Sequence, residues 1–191
     1  MAKEYNRGFR LFHYSLKNGG RYSTPAALPG AIKISFKPQT GTRTVSVRYT
    51  DGSAATSSQI IDGGTTAAVS VVSLPEGFLT NVLGYYKATD GSMYQGQQTA
   101  VHFALMYETQ GVEEPTRHIL LDCVCTKPEF DASTMSSTPS IDARSLQLIL
   151  NPITINGKQY YSRSIKQSDN SELFETWFGL MQGENEWKNL S

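Results

Sequence analysis

Apolar and polar residues alternate one for one along stretch after stretch of this chain. A period of two commits those stretches to extended strands that bury one face and expose the other. Ile32, Ile34 and Phe36 alternate with Lys33 and Ser35, and Val45, Val47 and Tyr49 alternate with Thr44, Ser46, Arg48 and Thr50. Ala67, Val69 and Val71 share one face of a segment. Val101, Phe103, Leu105 and Tyr107 share a face of another, and Leu146, Leu148 and Leu150 of a third. GFRLFHYSL (8–16) reads as an N-terminal strand, and a late hairpin turns at Asn156–Gly157, a pair suited to φ > 0. Asp51–Gly52, Asp62–Gly63 and Asp90–Gly91 mark further turns.

Two segments carry a helical period instead. LPEGFLTNVLG predicts a helix over about 75–83, with Pro75 in its first turn, Glu76 at the positive end of its dipole and Gly84 as its stop. NSELFETWFGLMQ predicts a second over 170–182, where Phe174, Phe178 and Met181 form a stripe beside Leu173, Trp177 and Leu180. Asp169 and Glu172 stand three apart, as in a capping box. The expected fold is mainly β with two short flanking helices, one domain over 1–182 and a loose tail over 183–191. Two polar connections, 50–66 and 126–143, are far longer than hairpin loops of two to five residues. Lengths like these predict functional extensions or mobile segments.

Both cysteines fall in TRHILLDCVCTKPEF. Regular alternation would put Ile119, Leu121, Cys123 and Cys125 on one face and His118, Leu120, Asp122, Val124 and Thr126 on the other. Histidine and thiols then do not converge on one ion, and C-x-C in a strand is not a C-x-x-C redox motif. The thiols read as small core residues, with no metal and no cofactor expected. No nucleophile elbow, phosphate-binding loop or dinucleotide fingerprint occurs, so no enzymatic activity is expected. The opening residues do not read as a secretory signal, and no apolar run is long enough to span a membrane.

Formal charge is zero but unevenly spread. Residues 1–50 hold nine Lys or Arg against one acid, and residues 51–142 hold three against eleven. The imbalance vanishes if the two segments interleave, or it remains as complementary surfaces between identical subunits. A dedicated nucleic-acid binder would carry a basic excess that is missing here.

Six segments, in a consistent order, carry a resemblance: PAALPGAIKI (25–34), RYTDGSA (48–54), LPEGFLTNVLGYYKATDGSM (74–93), HFALMYET (102–109), TRHILLDCVCTKP (116–128) and ETWF (175–178). Together they resemble the major tail protein, the tail tube subunit, of the long non-contractile-tailed bacteriophages (siphophages) of Gram-positive bacteria. Thr50, Asp122 and Lys127 depart from that family's usual residues. The resemblance implies a β-sandwich or barrel tail-tube fold whose homohexameric rings stack head to tail into a virion channel for DNA. It implies two long hairpin arms, about 41–67 and 117–150, that join an inner 24-stranded barrel. Thr44, Ser46, Arg48 and Thr50 would face the channel from the first arm. Asp122, Thr126, Ser145 and Gln147 would do so from the second, while Cys123, Cys125, Phe174, Trp177 and Phe178 pack inside the subunit. The implied partners are further copies of the chain, a tape measure protein in the lumen before ejection, passing phage DNA, and tail terminator and distal tail proteins at the ends. The place is the virion tail, assembled in the host cytoplasm. Alternatives from the same residues are another virion β-protein, such as a tail terminator ring or a receptor-binding module.

Overall fold

The computed structural model of this chain describes residues 8–48, 54–110, 114–128 and 143–182, with the backbone alone over 40–48, 54–63 and 180–182. The first half comprises β1 (Phe9–Asn18), β2 (Arg21–Tyr22), β3 (Ala26–Ala27), β4 (Ala31–Arg48), β5 (Ala54–Val71), α1 (Glu76–Asn81), β6 (Tyr85–Lys87) and β7 (Met93–Gln95). β8 (Phe103–Gln110), β9 (Pro115–Cys125), β10 (Arg144–Leu150), β11 (Ile153–Ile155), β12 (Lys158–Tyr160) and β13 (Ser162–Lys166) follow. The last elements are α2 (Ser171–Thr176) and a 3₁₀ turn over Trp177–Gln182. The fold is mainly β, built on one large antiparallel sheet.

Strands pair in the order β2-β1-β8-β9-β10-β5-β4, with β3 also on β1 and β13 also on β9. β1 and β4, from the two halves of this order, approach each other, so the sheet curls around its inner face. That inner face holds the main core: Phe12 and Tyr14 from β1, Val69 and Val71 from β5, Phe103, Leu105 and Tyr107 from β8, and Leu146, Leu148 and Leu150 from β10. α1 adds Phe78, and Val82 and Leu83 follow it into the same core. Phe78 stacks edge-on against Tyr14 and Phe103. The alternation seen in the sequence is therefore the alternation between this core and the outer surface.

The outer surface has two parts. Over β1, β8, β9 and β13 it is covered by α2 and the 3₁₀ turn, which bury Phe174 and Trp177 against Ala104, Met106, Ile119, Leu121 and Ile165. Leu173 and Phe178 pack there partly buried. Over β10, β5 and β4 it is bare among the described residues.

Turn chemistry follows the sequence in part. Asn156 and Gly157 take φ of 51° and 77° and close the β11–β12 hairpin. Asp90 Oδ1 accepts from the Ser92 amide and hydroxyl, with Gly91 at φ 88°. Asp62–Gly63 is not a turn: β5 runs through it. Pairing steps from Pro38↔Thr65 to Thr40↔Asp62, which leaves one extra residue in β5, a bulge that Gly64 accommodates at φ 98°. Asp51–Gly52 lies outside the described residues. The cap of α2 is Asn170, whose side chain accepts from the Leu173 amide at 2.9 Å, and not Asp169, whose carboxylate accepts from the Lys166 amide.

Candidate functional site

β4 and β5 are each eighteen residues long. Among the described side chains, those from Ala31↔Val71 to Phe36↔Ala67 reach the core, and pairing continues without interruption from Thr40↔Asp62 to Arg48↔Ala54. This hairpin contains the segment, about 41–67, that the resemblance makes an arm. Thr44, Ser46 and Arg48 lie on its β4 strand, where only the backbone is described, and Thr50 lies outside the described residues. In the second arm β9 and β10 pair over Cys123↔Leu150, Val124↔Ile149 and Cys125↔Leu148, and residues 129–142 lie outside the described residues.

The bare outer face next to these arms is small and polar. Val124 and Thr126 of the β9 end, Ser145, Gln147 and Ile149 of β10, Thr66, Ala68 and Ser70 of β5, and Lys33, Ser35 and Lys37 of β4 point to it. Its hydroxyls and amides are turned onto the sheet itself. Thr66 Oγ1 donates to the Lys37 carbonyl at 3.2 Å, Ser35 Oγ to the Ala68 carbonyl at 3.4 Å, and Gln147 Nε2 to Ser145 Oγ at 2.9 Å. The described charges on it are Lys33 and Lys37. Such a surface is wettable through its hydroxyl, amide and ammonium groups.

Asp122 does not belong to that exposed face. A bulge in β9 lies here: Phe103 pairs with Cys123, but two residues on Leu105 pairs with Leu120, which leaves Leu121 and Asp122 opposite one β8 residue. Asp122 keeps to the outer side but is only 5% exposed. Its carboxylate accepts from Lys17 Nζ and lies 2.6 Å from His102 Nδ1. Its carbonyl accepts from the Asn151 amide, and the neighbouring Leu121 carbonyl accepts from the Tyr22 hydroxyl. The bulge is also where β9 changes partner, from β13 up to Leu120 to β10 from Cys123. Asp122 thus ties the point where β9 changes partner to Lys17 of β1, to His102 and to the Asn151 amide.

The same bulge corrects the expected faces of this strand. Ile119 and Leu121 lie under α2, whereas Leu120 shares the inner core with Cys123 and Cys125. His118 lies on the inner side too, its ring stacked on Tyr107 at 4.8 Å and its Nε2 2.9 Å from Thr109 Oγ1. Histidine and thiols therefore share a side of the sheet, contrary to simple alternation. Among the described residues, no group of three or more His, Cys, Asp or Glu side chains is placed to hold a metal ion.

Both cysteines are free and buried. Burial pushes the Cys125 thiol up to about 12 and that of Cys123 further, with the Asp122 charge adding to the latter. Raised thiols stay protonated and unreactive. Iodoacetamide at pH 8 should leave both unmodified in the native chain and label both in urea; labelling at the native rate of a free thiol would refute this placement. The sign on stability follows. The folded values lie above the ordinary 9.0, so the contribution is complete below pH 9 and falls as pH rises beyond it.

Charges of the two unlike segments meet inside the subunit. Arg10 pairs with Glu108 at 2.5 Å, and Lys17 pairs with Asp122. Interleaving therefore neutralises part of the imbalance, while Lys33, Lys37 and Asp90 stay exposed. No protein-family model matches this chain, and no curated protein matches it significantly.

Proposed function

We propose that this chain is a structural virion protein, the tail tube subunit of a siphophage, which closes into hexameric rings that stack into a channel for DNA. The observation that carries the reading is the β4–β5 hairpin, whose pairing runs well past the core it is rooted in. A hairpin of that length gains little from its own two strands. β4 also ends the strand order, which leaves its outer edge without a strand partner among the described residues. Long unpaired edges invite pairing with another chain, and closure into a barrel removes them. In the ring, two arms from each of six copies would supply the 24 strands of the inner barrel.

The polar face fits the inner wall. Thr126, Ser145 and Gln147 supply hydroxyl and amide groups to it. Thr44, Ser46, Arg48 and Thr50 would extend the wall along the first arm. Each fixed phosphate contact strengthens DNA binding through counterion release, so a wall of hydroxyls with few cations favours passage over capture. Tape measure protein would fill the lumen before ejection, and terminator and distal tail proteins would close the ends. Negative-stain electron microscopy of the purified chain at high concentration tests the reading. Rings or tubes with a bore about one DNA duplex wide are expected, and a chain that stays monomeric at millimolar concentration overturns it.

A further inference from the structure

The β6–β7 hairpin stands apart from the main sheet, pairing Tyr85↔Gln95, Tyr86↔Tyr94 and Lys87↔Met93. Its pose is fixed at the base. The Gly96 amide donates to the Gly84 carbonyl at 3.1 Å, an approach so close that a Cβ on Gly96 would lie 2.9 Å from that oxygen. Lys127 Nζ donates to the Gly96 carbonyl and lies over the Tyr85 ring, while Lys87 pairs with Glu76 at 2.7 Å. The outward side of this fixed hairpin is aromatic. Tyr86 and Tyr94 are 63% and 59% exposed with ring centroids 6.4 Å apart, and Met93 is exposed beside them. None of the three contributes to the subunit core.

A second feature lies at the bulge of β1. Leu11 is held at φ 56°, a costly conformation for leucine, and is 43% exposed. It borders a cleft of about 350 Å³ whose walls include Phe12, Ala27, Leu28, Pro29 and Ala31. Arg10 is also in that wall, and exposed Ile32 and Lys33 follow it in the chain. The cleft thus lies wholly in the segment with nine bases and one acid. The tyrosine hairpin lies in the segment with eleven acids and three bases, and its turn exposes Asp90.

We propose that the β6–β7 hairpin of one copy seats Tyr86 and Tyr94 in the Leu11–Leu28–Ala31 cleft of the next copy. An aromatic knob and an apolar cleft on different surfaces of one chain make a heterologous contact, which propagates head to tail until it closes or becomes a filament. Opposite charges, Asp90 on one side and the half-exposed Arg10 on the other, favour this pairing over knob against knob. The inference rests on the tube reading and names one surface by which its copies join.

Sedimentation velocity on the full chain, wild type against the Tyr86→Ala/Tyr94→Ala double variant, tests it. Because both rings are exposed, the double variant should melt at the wild-type temperature. The concentration at which oligomers dissociate should rise about tenfold or more, as for a contact worth at least 1.4 kcal/mol. A mixture of Tyr94→Cys and Ala27→Cys chains should give a disulfide-linked dimer under oxidation that neither variant gives alone. Dimer from Tyr94→Cys alone would assign a knob-to-knob contact and overturn the proposal. Wild-type rings with equal assembly by the double variant would overturn it while leaving the tube reading intact. So would equal assembly with loss of binding to a bacterial cell-wall glycan, which would assign the tyrosines to sugar. A wild-type chain that never assembles defeats the tube reading first.

Discussion

Replacing Glu108 with alanine should destabilise the isolated subunit by about 3–5 kcal/mol, the cost of leaving buried charges without their partner. Glu108 is completely buried on β8, in a row that crosses three strands: Arg10 of β1 pairs with it on one side and Arg117 of β9 on the other. Its two oxygens accept from Arg10 Nε at 2.5 Å and Arg117 Nε at 3.1 Å. Arg117 continues the chain of contacts, donating to the carbonyls of Phe174 and Glu175 and lying over the Phe174 ring at 4.2 Å. Alanine at position 108 therefore strands the Arg117 guanidinium beneath α2. Urea unfolding reads the loss as a lower midpoint. A Glu108→Leu/Arg117→Met pair, which removes both buried charges together, should recover much of it. A midpoint shift below about 1 kcal/mol in Glu108→Ala would show that solvent reaches the row and that the pair matters little.

The parts of this fold legible in the sequence were those where one face is core and the other is wet. Ala67, Val69 and Val71, and Leu146, Leu148 and Leu150, kept their expected faces because Ser70, Ser145 and Gln147 between them remain at the surface. β8 obscured half of its meaning for the opposite reason. Phe103, Leu105 and Tyr107 go to the inner core as expected, but Ala104, Met106 and Glu108 are buried as well, under α2. With both faces covered, period two no longer tells inside from outside. Glu108 looks like an ordinary surface acid until the register places it between two arginines.

β9 failed by a single residue. No glycine or proline marks the bulge at Leu121–Asp122, yet it sets Ile119 and Leu121 on the side opposite the cysteines, where alternation had joined them. Asp122 is expected at the channel because alternation sets it opposite the thiols and the resemblance makes this strand an arm. The partners that bury it, Lys17 and His102, are 105 and 20 residues away in the chain. Contacts of that kind leave no local pattern. The buried acid sits where β9 changes partner from β13 to β10, so its bonds to Lys17 and His102 hold the strand at the bulge.

The largest single packing loss should come from Trp177→Ala. Its side chain is almost fully buried between Ile119, Leu121 and Ile165 of the sheet and Phe174 of α2, with the Arg163 guanidinium 5.0 Å from the ring. Truncating a buried tryptophan costs about 3–5 kcal/mol, because the transfer energy is lost and the cavity collapses only in part. The indole Nε1 is buried without a hydrogen-bond partner among the described residues, so Trp177→Phe gives up ring volume and none of the described hydrogen bonds. Phenylalanine should therefore retain most of the stability that alanine loses. Local hydrogen exchange adds a second readout. Amides of α2 and β13 should lose protection first in Trp177→Ala, while those of β5 and β10, which pack on the inner core, keep theirs. The change belongs to the subunit and precedes any effect on assembly. Rings that form normally from Trp177→Ala chains with an unchanged melting temperature would mean that α2 is not held to the sheet by this side chain. Uniform loss of protection across both cores would mean that the two fold as one cooperative unit.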